Sequence, residues 1–284
     1  MFTNLEKMLP EIWQSPLMLV FVWTFGAIWG SFLNVCIIRV QHEMSLSFPG
    51  SHCFSCKKKV AWYDNLPVLS WFLLKGKCRH CGTPFSIRYP LVEAITATLF
   101  LAIWMIYGAS ALTLCYWLMA FGLLWGTGVD FDAYWLPDRV TWGGIAIGIP
   151  LSGLVPALHQ AIDWKDGLLH AATGAALGFG ILWFVGVLGK ILFKKDAMGF
   201  GDVKLLGAIG AFLGTSAVFF VLFISALLGS VVGVSLIAMG KRELGGRIPF
   251  GPYLSAAALI WIFGGDTWMQ AYLDFVLVQP GQLP

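Results

Sequence analysis

Charge is scarce in this chain: Asp, Glu, Lys and Arg together make up 12% of its 284 residues. Soluble domains carry roughly a quarter, so a conventional solvated surface is excluded. The apolar share is 58% and mean hydropathy is +0.78, more than one core of this size can bury. Met1 to Pro16 has no basic start leading into an apolar run and contains Glu6, Lys7 and Glu11. No cleavable signal peptide is therefore expected, and the first apolar stretch reads as a permanent anchor. No solenoid-length repeat, low-complexity tract or strand-linked G-x-G-x-x-G is present. A net charge of only +3 gives no sign of a nucleic-acid partner, and none is expected.

What is abundant points to the bilayer. Thirty-three glycines suit close helix packing and fourteen tryptophans suit interfacial anchoring. About 20 apolar residues span the hydrocarbon as a helix. The runs parse as Pro16–Ile38, Leu91–Tyr107, Leu112–Val129, Val140–Leu158, Gly167–Gly189, Val203–Gly214, Ser216–Gly240 and Phe250–Gly265. Val203 to Gly240 is too long for one ordinary crossing at about 1.5 Å per residue, so a turn is expected near Gly214–Ser216. The predicted fold is an all-α integral membrane protein of about eight transmembrane helices with a small zinc-bound cytoplasmic loop domain.

Alternating these runs across the membrane puts 16 of the 18 Lys and Arg on one side, leaving only Lys7 and Lys165 on the other. The basic side is the cytoplasm. Both termini are then outside it. The expected organisation is residues 1–39 as N-terminal segment and first helix, 40–90 as cytoplasmic loop domain, and 91–284 as a seven-helix membrane domain.

In that loop, Cys53-Phe-Ser-Cys56 and Cys78-Arg-His-Cys81 stand 21 residues apart. Two C-x2-C knuckles supply four thiolates to a tetrahedral zinc, and a reducing compartment argues against disulfides. Such a closed site is structural, holding a loop with too little core to fold unaided. Lys57, Lys58, Lys77 and Arg79 would offset its negative charge. His52 and His80 are weaker candidate ligands, while Cys36 and Cys115 read as packing residues.

Acids at membrane depth are costly and usually functional. Val129-Asp130-Phe131-Asp132 through Leu136-Pro137-Asp138 follows the third run, and Gly199-Phe200-Gly201-Asp202-Val203-Lys204 opens the sixth. Asp130 and Asp202 are the candidate catalytic pair. Paired carboxylates share one proton, so one can activate water while the other protonates a departing nitrogen. The plain alternative makes Asp202 a helix cap and Pro137-Asp138 a turn.

These residues resemble the prepilin peptidase family of type IV pilus and type II secretion systems. The resemblance includes Gly30-Ser31-Phe32-Leu33-Asn34-Val35 with Arg39, and Asp64-Asn65-Leu66-Pro67 between the cysteine pairs. It continues through Arg88-Tyr89-Pro90-Leu91-Val92-Glu93, both aspartate motifs and Ile248-Pro249-Phe250-Gly251-Pro252. It runs from about Gly30 to Pro252, with Ala97 where the family commonly has glycine. It implies a bacterial inner-membrane aspartic protease using Asp130 and Asp202 at the cytoplasmic face. Its precursors would be prepilins or pseudopilins, cut after a short basic leader. The new amino group would then be methylated from S-adenosylmethionine. Glu93, Arg88 and Asp64 are candidates for the methyl-donor pocket, each also readable as an ion-pair member. Competing readings are a peptidase without methylation, to which the four cysteines are foreign, and a transporter, which would place its acids near the midplane. The zinc loop could also be a docking module.

Overall fold

The computed structural model describes residues 13–194, 198–240 and 248–277. Glu6, Lys7 and Glu11, and the basic residues Lys195, Lys241, Arg242 and Arg247, lie outside the described residues. Helices dominate, and among the described residues there is no strand, only the isolated bridges His52–Lys59 and Lys77–Pro84. The helices are α1 (Pro16–Gln41), α2 (Leu69–Leu73), α3 (Arg88–Tyr107), α4 (Ala111–Ala133), α5 (Asp138–Leu154), α6 (Trp164–Phe193), α7 (Phe200–Ala238), α8 (Gly251–Ile260) and α9 (Asp266–Leu277). Among the described residues five are long and apolar enough to cross a membrane: α1, α3, α4, α6 up to Leu192, and α7. The chain is a helical membrane protein.

Contacts divide it into two compact units, residues 1–125 and 126–284. In the first, Ser15 caps α1 through the Met18 N–H at 3.4 Å, and Pro16 opens the helix. Helices α1 and α3 run antiparallel in close contact. A Cβ on Gly26 would sit 2.8 Å from Ala97 Cα, and one on Gly30 2.6 Å from Glu93 Cα. This Gly-x-x-x-Gly face is how helices associate in lipid, where hydrophobic burial supplies little drive and backbone approach supplies contact. Helix α4 joins through aromatics, Trp117 stacking on Phe100 at 5.0 Å.

The second unit is built around the first half of α7, buried from Asp202 through Gly214. Gly144 and Gly148 of α5 face Ala208 and Phe212, and Gly174 and Gly178 of α6 lie against the backbone at Gly210 and Leu206. Gly214 breaks the helix with φ 80° and ψ −175°, conformations that only glycine adopts cheaply. The chain turns sharply there. Val218 Cγ2 comes within 3.0 Å of where a Gly210 Cβ would be, though eight residues of straight helix rise about 12 Å. The turn falls where the 38-residue apolar run demanded one.

Two boundaries differ from the sequence expectation. The fourth run stops as α-helix at Leu154 and finishes in a 3-10 turn, Pro156–His159. The last run does not end at Gly265. It passes through a wide turn, Trp261–Gly265, into α9, whose Asp266, Gln270 and Asp274 interrupt the apolar pattern.

Candidate active site and metal centre

Asp130 lies in the last turn of α4 and Asp202 in the first turn of α7. Both are buried, with 5% and 9% of their surface exposed, and Leu136 packs against both Gly201, beside Asp202, and Gly251, whose amide meets Asp130. Residues 72 positions apart are thus brought together inside the second unit. The Gly251 N–H donates to Asp130 Oδ2 at 3.1 Å, so the N-terminus of α8 points its unpaired amide and partial positive charge at this carboxylate.

Leu136 organises the approach. Its side chain lies 3.1 Å from a Cβ position on Gly201 and 3.3 Å from one on Gly251, so one leucine spaces the two glycines beside the two acids. A Cβ on Gly251 would come within 2.7 Å of Asp130 Oδ2, and one on Gly199 within 3.2 Å of Asp202 Oδ2. Lys204, also buried, forms an ion pair with the exposed Asp138, fastening the start of α7 to the start of α5.

The capping alternative for Asp202 is not what the structure contains. The N-cap of α7 is Gly199 and no side chain bonds there; Asp202 sits three residues further in.

In the first unit, the sulfurs of Cys53, Cys56, Cys78 and Cys81 all lie within 4.8 Å of one another. Each knuckle is closed by backbone bonds, Lys57 N–H to Cys53 O and Gly82 N–H to Cys78 O, both 2.9 Å. The Cys53 and Cys81 sulfurs are 3.8 Å apart. Four sulfurs placed tetrahedrally at about 2.3 Å from zinc are themselves about 3.8 Å apart, so the donor set fits a metal ion of that kind. His52 bonds the Gly50 carbonyl instead, and Cys36 and Cys115 are buried in helices. Arg79, expected to offset the cysteine charge, has a carboxylate partner instead. It forms a two-point pair with Asp64 at 2.5 and 2.7 Å, which holds the Asp64 carboxyl below its usual range.

The same unit contains a cavity of about 540 Å³ whose wall includes Ser31, Asn34, Asp64, Trp71, Tyr89 and Glu93. Glu93 Oε2 accepts the Val68 N–H at 2.7 Å. Val68 has φ 63° and ψ −53°, a conformation that is a genuine outlier for a β-branched residue. Of the three candidates for the donor pocket, Asp64 and Glu93 share this wall and Arg88 is not part of it. Ala97 lies on the α1–α3 seam against Gly26. Sequence reasoning missed three features: the Gly251 amide, the Leu136 spacer and the Lys204–Asp138 pair. The first was signalled by Gly-Pro opening an apolar run.

Fold and site together define a helical membrane protein with two buried aspartates at helix ends and a four-cysteine cluster in a separate unit. Residues 24–107 match the bacterial peptidase A24 N-terminal domain, and residues 117–234 match the type IV leader peptidase family. The chain is 35% identical over 285 residues to the prepilin leader peptidase/N-methyltransferase of Aeromonas salmonicida (strain A449), covering 90% of this chain and 94% of that one. It is 36% identical over 278 residues to the Xanthomonas campestris pv. campestris protein of the same name, covering 88% and 92%. Against the type 4 prepilin-like proteins leader peptide-processing enzyme of Escherichia coli O78:H11 it is 34% identical over 256 residues, covering 84% and 91%. No solved structure matches. The chain belongs to the type IV leader peptidase family.

Proposed function

We propose that this protein is a membrane endopeptidase that removes the leader of type IV prepilins or pseudopilins and then N-methylates the new terminus. The observation that carries the proteolytic reading is the convergence of two buried acids on Leu136: Asp130 binds the Gly251 amide, and Asp202 follows Gly201, with both glycines packed against that one leucine. In this reading Asp130, which accepts the Gly251 N–H, takes a proton from water as its oxygen adds to the scissile carbonyl carbon. Asp202 gives its proton to the leaving nitrogen as the C–N bond breaks, and the proton that Asp130 took from water then passes to Asp202, returning the pair to its starting state. The small residues Gly199 and Gly201 leave room for substrate backbone beside Asp202. The distribution of Lys and Arg supports a cytoplasmic active site, extracytoplasmic termini and the bacterial inner membrane as location.

Zinc, held by the four cysteines, would fix the 40–90 loop without entering the reaction. For methylation, the cavity in the first unit is the fitting chamber: its volume is in the range of small-molecule sites. Glu93 and Asp64 would face the positive groups of S-adenosylmethionine, and Trp71 and Tyr89 would stack on it. The bound donor supplies an electrophilic methyl group.

The test is leader cleavage by purified protein in membranes or detergent. Asp130→Asn and Asp202→Asn each abolish it, and unchanged processing of a prepilin by either variant refutes the mechanism. Transfer of label from S-adenosylmethionine to pre-cleaved substrate tests the second activity, and metal analysis should find about one zinc per chain.

A further inference from the structure

Within the first unit, the segment Trp62–Leu73 has two faces. Ser70 donates to the Tyr63 carbonyl at 3.3 Å, Trp71 donates to the Phe85 carbonyl at 3.1 Å, and both line the cavity. The opposite face of α2 is apolar and uncovered: Leu69 is 61% exposed, Phe72 61% and Leu73 75%, with Trp62 nearby at 79%. Outside a spanning helix, a cluster of this kind marks an interaction surface.

Its depth identifies the partner. Asn34 donates to the Tyr89 carbonyl at 3.0 Å, and Gly30 lies against Glu93, which sets the register of α1 against α3. Val68, directly before α2, is bonded to Glu93. Glu93 is five residues beyond Arg88, where α3 begins, so about 7.5 Å of helix rise separates them. Arg88 belongs at the headgroups, and Val68 therefore lies inside them. Amphipathic segments lying in the interface sit at about 5–10 Å depth. The charge agrees. Residues 42–87 carry six Lys and Arg against two Asp and Glu, with Lys75 exposed immediately after the apolar face, and basic juxtamembrane segments bind anionic lipid.

We infer that Trp62–Leu73 is an interfacial segment seated in the anionic monolayer, with Leu69, Phe72 and Leu73 among the acyl chains and the opposite face of α2 forming the cavity wall. The bilayer then completes the outer support of the cavity. A partner protein approaching from the aqueous side, or the apolar helix of a precursor within the bilayer, would engage the same side chains and is the alternative outcome.

The test places the photoreactive residue p-benzoylphenylalanine at Phe72, and separately at Leu73, in the full chain reconstituted in phosphatidylcholine vesicles with and without phosphatidylglycerol. Both positions are exposed, so two independent insertions guard against a folding failure at one. After irradiation, phospholipid adducts are expected at both, in higher yield with phosphatidylglycerol, and Lys75→Gln should reduce that difference. Adducts at neither position, or capture of added prepilin in place of lipid, overturn the inference. Neither readout requires leader cleavage, so this inference and the proposed function can fail separately.

Discussion

Gly251→Ala isolates the geometry of the aspartate pair. Gly251 does not adopt a left-handed backbone, so alanine adds a methyl group without backbone strain and leaves the N–H that binds Asp130 in place. That methyl carbon would lie 2.7 Å from Asp130 Oδ2 and 3.3 Å from two carbons of Leu136, whereas ordinary contact begins at 3.4 Å. The carboxylate must give way by about 0.7 Å, because Leu136 blocks retreat of the helix start. A displacement of about 1 Å in a catalytic constellation costs on the order of 100-fold, so cleavage should fall roughly 10- to 50-fold in kcat/KM. Gly201→Ala gives a graded control. Its Cβ meets Leu136 Cβ at 3.1 Å, a shortfall of about 0.3 Å that a side chain can absorb, with an expected loss of only a few-fold. The assay is prepilin cleavage over time, with methylation of pre-cleaved substrate as an internal reference. Wild-type cleavage by Gly251→Ala, or a larger loss from Gly201→Ala, would refute this placement of Asp130.

Further consequences follow from the rest of the molecule. Glu93→Ala releases Val68 from a conformation costing about 1–2 kcal/mol, so the 64–68 segment should relax and the KM for S-adenosylmethionine should rise about tenfold; Val68→Gly should recover part of it, and an unchanged KM in Glu93→Ala would reject the clamp. Gly30→Val drives a side chain into the α3 backbone at Glu93 and should lower thermal stability by several kcal/mol by overpacking, read by melting in detergent. Removing metal with a chelator should abolish methylation before leader cleavage, measured on one sample with both assays, because the cysteines and the aspartates belong to different units. His159 is held at a pKa of about 4, first by desolvation and then by the neighbouring His170. Its unfolded form accepts a proton near pH 6.5, so its contribution is complete above that value. Stability should fall as pH drops from about 6.5 towards 4, by no more than about 3.4 kcal/mol; a melting curve of His159→Asn with the same pH slope as wild type would exclude it.

The sequence was most legible where a physical rule acts locally. Four cysteines in two knuckles admit few arrangements, and the structure gathers their sulfurs. The excess length of Val203 to Gly240 required a turn, and Gly214 supplies it. The aspartates were legible as candidates because charge at membrane depth is expensive. Their proximity was not, since no local pattern spans 72 positions. The same limit hid the Gly251 amide, whose partner Asp130 is 121 residues away. The strained Val68 left no trace either, because Pro67-Val68 reads as ordinary extended chain and its conformation is set by a carboxylate on α3.

Glycine marks the boundary between what composition reveals and what only packing determines. A count of 33 fits a membrane protein, yet its members act in physically different ways. Gly26 and Gly30 let two helices touch backbone to backbone in lipid, where no larger residue leaves room. Gly214 provides a dihedral angle, and its neighbours could be replaced without losing the turn so long as that angle survives. Gly251 and Gly201 do neither: Gly251 holds open space between Leu136 and the Asp130 carboxylate, and Gly201 gives Leu136 room beside Asp202. A substitution at each class should therefore fail differently, by loss of stability in the first, by misrouting of α7 in the second, and by loss of turnover in a folded protein in the third. That separation can be seen by measuring melting and cleavage on the same variants. If Gly30→Val and Gly251→Ala were to lose stability and turnover in the same proportion, these glycines would share one packing role and the active-site argument built on Gly251 would fall.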